Sequence, residues 1–105
     1  MDARFICGDP GSDREIVYGF ASDLMSDVLT LTQEHVLFIT GLVAPQTIRT
    51  AVISDIDAIL FVRGKGVPQS VVALAEENGL TLMCAAYSMY RACGELSAAG
   101  LRAVY

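Results

Sequence analysis

Three short apolar runs punctuate the chain: Val36-Leu37-Phe38-Ile39, Ala58-Ile59-Leu60-Phe61-Val62 and Leu80-Thr81-Leu82-Met83-Cys84. They begin at positions 36, 58 and 80, a constant step of 22 residues. Runs of this length without polar alternation suit strands buried on both faces, as in a parallel sheet covered by helices. The segments between them then read as helices. Pro45 to Ile56 carries Ile48, Ala51, Val52 and Ile56 at helical spacing, which makes one stripe to pack on a sheet. Pro68 to Asn78 repeats the design with Val71, Leu74 and Ala75. Pro68 suits a first helical turn, and Gly79 is placed to end the helix in a left-handed conformation. Ser88 predicts the N-cap of a third helix lined by Met89, Ala92, Cys93 and Leu96. Gly100 stops that helix, and Leu101 to Tyr105 reads as a short final strand.

The first third is less regular. Phe5-Ile6-Cys7 reads as an edge strand, and Gly8-Asp9-Pro10-Gly11-Ser12-Asp13 as a turn-rich loop. Ile16 to Ala21 has the β-branched and aromatic content of a strand, and Ser22 to Leu29 reads as a short helix capped by Ser22. The expected architecture is one α/β domain over residues 1–105, with a mixed, mostly parallel sheet flanked by helices.

Composition agrees with one core: 105 residues, 53% hydrophobic and 18% charged. A net charge of -5 provides no overall basic field, which argues against nucleic acid or an anionic membrane surface as partner. The first residues lack the basic and apolar regions of a signal peptide. The longest uncharged stretch, Val36 to Ile48, contains Pro45 and is shorter than the roughly 20 apolar residues of a bilayer span. A cytoplasmic location is the expectation. Cys7, Cys84 and Cys93 form no CxxC pair and fit free core thiols better than a disulfide framework.

In such a sheet the loops after the strand carboxyl ends open on one edge, where ligands bind. These are Thr40-Gly41, Arg63-Gly64-Lys65-Gly66 and the segment from Ala85 to Ser88. Arg63 and Lys65 concentrate positive charge beside glycines that let backbone amides approach an anion, so a phosphate-bearing ligand is the natural guess. Arg63, Gly64, Lys65, Gly66, Thr40, Gly41 and Ser88 are therefore the candidate ligand-binding residues. Neither the Walker spacing nor GxGxxG is present, and a tight turn with solvated charges is the plainer reading of the same residues.

Catalytic readings find little support. His35, the only histidine, lacks neighbouring ligands for a metal. Cys84 and Arg91 are separated by six residues where a phosphatase loop needs five, without a glycine cradle. A receiver domain needs an Asp at a central strand end, but the strand ends here are Thr40, Arg63 and Ala85, while Asp55 and Asp57 precede a strand. Asp23 and Asp27 lie four apart and would share a helical face, a pattern that suits capping better than a divalent ion. Tyr18, Tyr87 and Tyr90 could stack on a base but suit core or interface packing. No catalytic residue, metal site or cofactor is expected.

The stretch from Asp13 to Val28, DREIVYGFASDLMSDV, resembles the opening signature of DRTGG domains, with Asp13, Arg14, Gly19, Ser22 and Asp23 as the motif residues. Ile59-Leu60-Phe61-Val62-Arg63-Gly64, Pro68, Leu74 to Gly79 and Gly94-Glu95-Leu96 resemble the same family's later strand and helices. Glu15-Ile16-Val17 stands where the name-giving Thr-Gly-Gly is expected. The resemblance spans about Asp13 to Leu101. It implies an α/β fold like the N-terminal domain of HPr kinase/phosphorylase and a regulatory, non-catalytic role. Such domains occur beside nucleotide-binding CBS domains, and stand-alone members accompany iron-only hydrogenases and their redox partners. A small anionic ligand and a homodimer follow as expectations. The alternative is a ligand-free accessory protein that docks on a hydrogenase or other redox subunit, to which a mean hydropathy of +0.49 lends weight.

Overall fold

Strands without polar alternation have two faces to bury, and helices must cover both. The structure, a computed structural model, describes residues 3–7, 16–64 and 66–105, with side chains from residue 6 onward. The expected loop from Gly8 to Asp13, and with it Asp13, Arg14 and also Lys65, lies outside the described residues. The chain order is β1 (Ala3–Cys7), β2 (Tyr18–Ala21), α1 (Met25–Val28), β3 (Val36–Thr40), α2 (Pro45–Ile53), β4 (Ala58–Phe61), α3 (Gln69–Glu77), β5 (Thr81–Ala85), α4 (Met89–Ala98) and β6 (Arg102–Ala103). The strands form one sheet in the order β1-β5-β4-β3-β2-β6. Among the described strands only the β1–β5 pair is antiparallel; β5, β4, β3, β2 and β6 run parallel. The α/β fold with a mixed, mostly parallel sheet is as expected from the apolar runs.

Alternation along each strand divides the core. Phe38, Ile59, Phe61 and Leu82 face the layer of α1, α2 and α3, where they meet Val28, Ile48, Ala51, Val71 and Ala75. Leu37, Ile39, Ala58, Leu60 and Val62 face the other way and meet Ala92 and Leu96 of α4. Among the described residues, three helices thus cover one side of the sheet and one covers the other. No described helix is long and apolar enough to cross a membrane.

The helices α2, α3 and α4 end by one device. After each C-cap comes a left-handed residue: Asp55 (φ 57°), Gly79 (φ 69°) and Gly100 (φ 106°). The next residue donates its N–H back into the last turn, Ile56 to Ala51 O at 2.8 Å, Leu80 to Ala75 O at 2.9 Å and Leu101 to Leu96 O at 3.0 Å. These are the six-to-one bonds of Schellman endings, and the apolar residue that donates each bond returns the chain to the core. Ile56 and Leu80 are buried, and Leu101 packs against the α4 side of the sheet. Asp55 therefore ends α2 at Ile53, three residues before the helix was expected to stop.

Three local expectations are corrected. Ser22 does not cap a helix: α1 begins only at Met25 with Leu24 at its N-cap, and the Ser22 hydroxyl accepts from Leu24 N–H at 3.0 Å as a turn. Asp23 consequently stands outside α1 and shares no helical face with Asp27. Pro68 occupies the N-cap of α3 rather than its first turn. Its extended ψ of 150° is what a residue that starts a helix from outside adopts.

Because Asp tolerates the left-handed region at some cost and glycine at almost none, Asp55→Gly should stabilise the fold by about 0.5–1 kcal/mol, while Asp55→Val should destabilise it by about 1–2 kcal/mol. Thermal denaturation of the two variants reads both signs.

Candidate functional site

Parallel registry aligns the strand ends. Ala21 pairs with Ile39, Thr40 with Phe61, and Phe61 with Cys84, so the segments after β2, β3, β4 and β5 leave from one edge. Ser22 N–H donates to Ile39 O at 3.1 Å, which carries the segment after β2 alongside Thr40 and Gly41. The segment after β4 is tied in the opposite direction, because Arg63 N–H donates to Tyr87 O at 2.6 Å and Gly64 N–H to Ala85 O at 3.0 Å. Arg63 and Gly64 both have positive φ, 71° and 66°. These two left-handed residues in succession turn the Arg63 side chain back over β3.

Asp23 lies where these loops meet. Its Oδ1 accepts from the Thr40 hydroxyl at 2.9 Å and from Gly41 N–H at 2.7 Å, and its Oδ2 accepts from Arg63 Nη2 at 3.4 Å. Thr40 is fully buried, and its hydroxyl oxygen also accepts from Leu42 N–H at 3.1 Å, so its proton is directed at the carboxylate. A Cβ at Gly41 would overlap the Arg63 guanidinium, the flexible end of a half-exposed side chain, so the guanidinium would have to move aside. The Asp23 and Arg63 side chains are each 45% exposed, so solvent reaches the pair. One hydroxyl, one amide and one guanidinium, presented by the loops after two neighbouring strands, thus converge on a single carboxylate.

Of the sequence-predicted residues, Thr40, Gly41 and Arg63 come together here, with Asp23 of the motif set as the group they hold. Gly64 packs beside Ala86, and Gly66 is exposed with open space around it. Ser88 serves as the N-cap of α4, its hydroxyl accepting from Arg91 N–H at 3.2 Å. Gly19 lies within β2, where a Cβ would come within 2.6 Å of Leu101. Sequence reasoning missed two features. The sequence pattern puts Asp23 on a helix rather than in this cluster, and offers Arg91 only as a partner for Cys84. The Arg91 guanidinium in fact stacks 3.9 Å over the Tyr87 ring, adding a second cation to the loop that accepts the Arg63 N–H. The clue to Arg91 was its position in the first turn after a capping serine at a strand-end loop.

The other candidates are dispersed. The side chain of His35 is half exposed at the start of β3, and its carbonyl accepts from Val17 and Tyr18 N–H. Tyr18 lies under Arg102 and Tyr90 is 91% exposed. Cys7, Cys84 and Cys93 are free thiols. Cys7 and Cys84 belong to the side of α1–α3 and Cys93 to the side of α4, so the sheet separates them. Among the described residues no three His, Cys, Asp or Glu side chains gather as metal ligands. Burial pushes the Cys7 and Cys93 thiols above their ordinary value. At Cys7 a backbone hydrogen bond at Leu82 opposes the rise and the charge of Glu76 adds to it. Both are consequently weak nucleophiles at neutral pH.

The fold and this edge define a class: a single-sheet α/β domain whose strand-end loops carry a seated carboxylate. No protein-family model matches the chain, and neither a curated protein nor a solved structure matches it.

Two outcomes follow from this geometry. Gly41→Ala should displace Arg63 from Asp23 and destabilise the domain by no more than about 1 kcal/mol, read as a slightly lowered denaturation midpoint. The thiols supply a pH signature. A thiol whose folded value is raised above the unfolded value of 9.0 contributes stability that is fully present below pH 9.0 and is lost as pH rises through the folded value. Urea midpoints measured on either side of pH 9.0 should therefore fall more in the parent protein than in a Cys7→Ala, Cys93→Ala double variant.

Proposed function

We propose that this chain is a non-catalytic sensing or regulatory domain that binds a small oxyanion-bearing ligand, such as a nucleotide, at the strand-end edge, and that it works as a homodimer. The observation that carries this reading is the convergence of Thr40 Oγ1, Gly41 N and Arg63 Nη2 on one carboxylate. Backbone amide, hydroxyl and guanidinium together are the donor types that hold carboxylates and phosphates, and Arg presents its donors in a planar fork. Lys65, two residues after Arg63, adds charge to the same loop in sequence. The resemblance to DRTGG domains supports a regulatory setting. Acid–base or nucleophilic catalysis needs convergent titratable groups. In this cluster the carboxylate is engaged as an acceptor by the hydroxyl, the amide and the guanidinium, which suits binding.

Titration of the labelled protein with ATP, followed by amide shifts, tests the site. The expected result is shifts centred on Thr40, Gly41 and Gly64 that disappear in Arg63→Ala and weaken in Lys65→Ala while the fold is kept. Shifts centred elsewhere, or unchanged in Arg63→Ala, overturn the assignment.

A docking role, with a second copy or a redox enzyme subunit as partner, is favoured by one specific observation. Ile53 is 73% exposed and Leu29 53% exposed, on either side of the Ser54 hydroxyl that donates to Val28 O between α2 and α1, and Val52 beside them is 40% exposed. Exposed apolar side chains at one junction of two helices are of the kind that mark interaction surfaces. Sedimentation of the parent protein should give a dimer mass, and Ile53→Glu should shift it to a monomer. A monomeric parent protein removes self-association at this surface.

A further inference from the structure

We propose that Asp23 is a built-in occupant of the oxyanion seat, a tethered carboxylate that an incoming ligand must displace. The inference rests on the oxyanion-site reading above and adds its regulation. The donors are used as a bound carboxylate would use them. One oxygen takes the buried hydroxyl and the amide, at 2.9 and 2.7 Å, and the other takes the guanidinium at 3.4 Å. The two-oxygen pattern fits a planar carboxylate or two oxygens of a phosphoryl group equally, so the chemistry the seat selects is an oxyanion with two adjacent free oxygens.

Three observations make the occupant displaceable rather than a buried structural pair. The Asp23 side chain is 45% exposed, so it can return to water without a large desolvation change. It lies in the short segment between the end of β2 and the start of α1, outside both elements, so its departure breaks no ladder or helix bond. Its contact to Arg63 is longer than those to Thr40 and Gly41, and that ion pair is one an external anion would take over.

An internal competitor lowers apparent affinity by the fraction of molecules in which the seat is empty. The parent protein should therefore bind more weakly than a variant without the carboxylate, whose affinity is the intrinsic affinity of the seat. Departure of Asp23 also removes the side-chain tether between the segment that leads into α1 and the end of β3, which gives the binding event a structural readout.

Calorimetric titration with inorganic phosphate tests this in four proteins: the parent, Asp23→Asn, Asp23→Ala and Asp23→Ala combined with Arg63→Ala. Asp23→Ala empties the seat and should bind phosphate about tenfold or more tightly than the parent. Asp23→Asn keeps the side-chain shape without its charge and should fall between them; it also serves if the alanine variant folds poorly. The double variant should lose the gain, and acetate should compete with phosphate. Parent binding that is unchanged or weaker in both single variants overturns the tethered occupant and leaves the oxyanion site standing. Binding in none of the four overturns both. A gain that survives Arg63→Ala places the phosphate elsewhere and overturns the proposal.

Discussion

A parallel sheet gathers all its strand carboxyl ends on one edge, and the polar groups that leave that edge must find partners there. In this domain the Asp23 carboxylate supplies them. Without it the hydroxyl of fully buried Thr40 and the N–H of Gly41 would each lose an acceptor, and Arg63 would lose its counter-charge above Gly41. A buried donor left unsatisfied costs about 1–3 kcal/mol, so a single side chain governs the local energetics of the loops after β2, β3 and β4. The same contacts determine which chemistry the edge can offer a ligand, because the donors that satisfy Asp23 are those an external oxyanion would need.

The rest of the molecule delivers these loops to one place. Three left-handed helix endings return the chain to the sheet through Ile56, Leu80 and Leu101, and the resulting register brings the ends of β3, β4 and β5 level. Packing on both faces fixes that register, since a one-residue slip would turn Phe38 and Phe61 away from α2 and α3. Arg63 then needs its unusual backbone for a geometric reason. Its N–H reaches sideways to Tyr87 while its side chain reaches back to β3, and positive φ at Arg63 and Gly64 meets both demands.

Much of the fold was legible because burial writes itself into hydrophobicity. The three apolar runs, the stripes of α2, α3 and α4, and the stop signals at Gly79 and Gly100 all express local rules. Asp55 performs the same stop without being glycine, so the end of α2 was placed three residues late. The strand-end positions of Thr40, Gly41 and Arg63 followed from strand boundaries alone. The role of Asp23 did not, because its spacing from Asp27 mimics a helical face, and only the long-range pairing of β2 with β3 reveals that it meets Thr40 and Gly41. Ser22 and Ser88 show the same limit from the other direction. Both are serines ahead of a short helical pattern, yet Ser88 caps α4 while Ser22 makes a turn, because the segment after β2 must first carry Asp23 to its partners.

The most direct measurement is a pair of crystal structures of the unmodified protein, one grown without polyvalent oxyanions and one with sodium phosphate. The account predicts the Asp23 carboxylate on Thr40 Oγ1, Gly41 N and Arg63 in the first, and phosphate on those donors with Asp23 turned to solvent in the second. Asp23 fixed in the same place in both, with phosphate absent or bound at another surface, would contradict it.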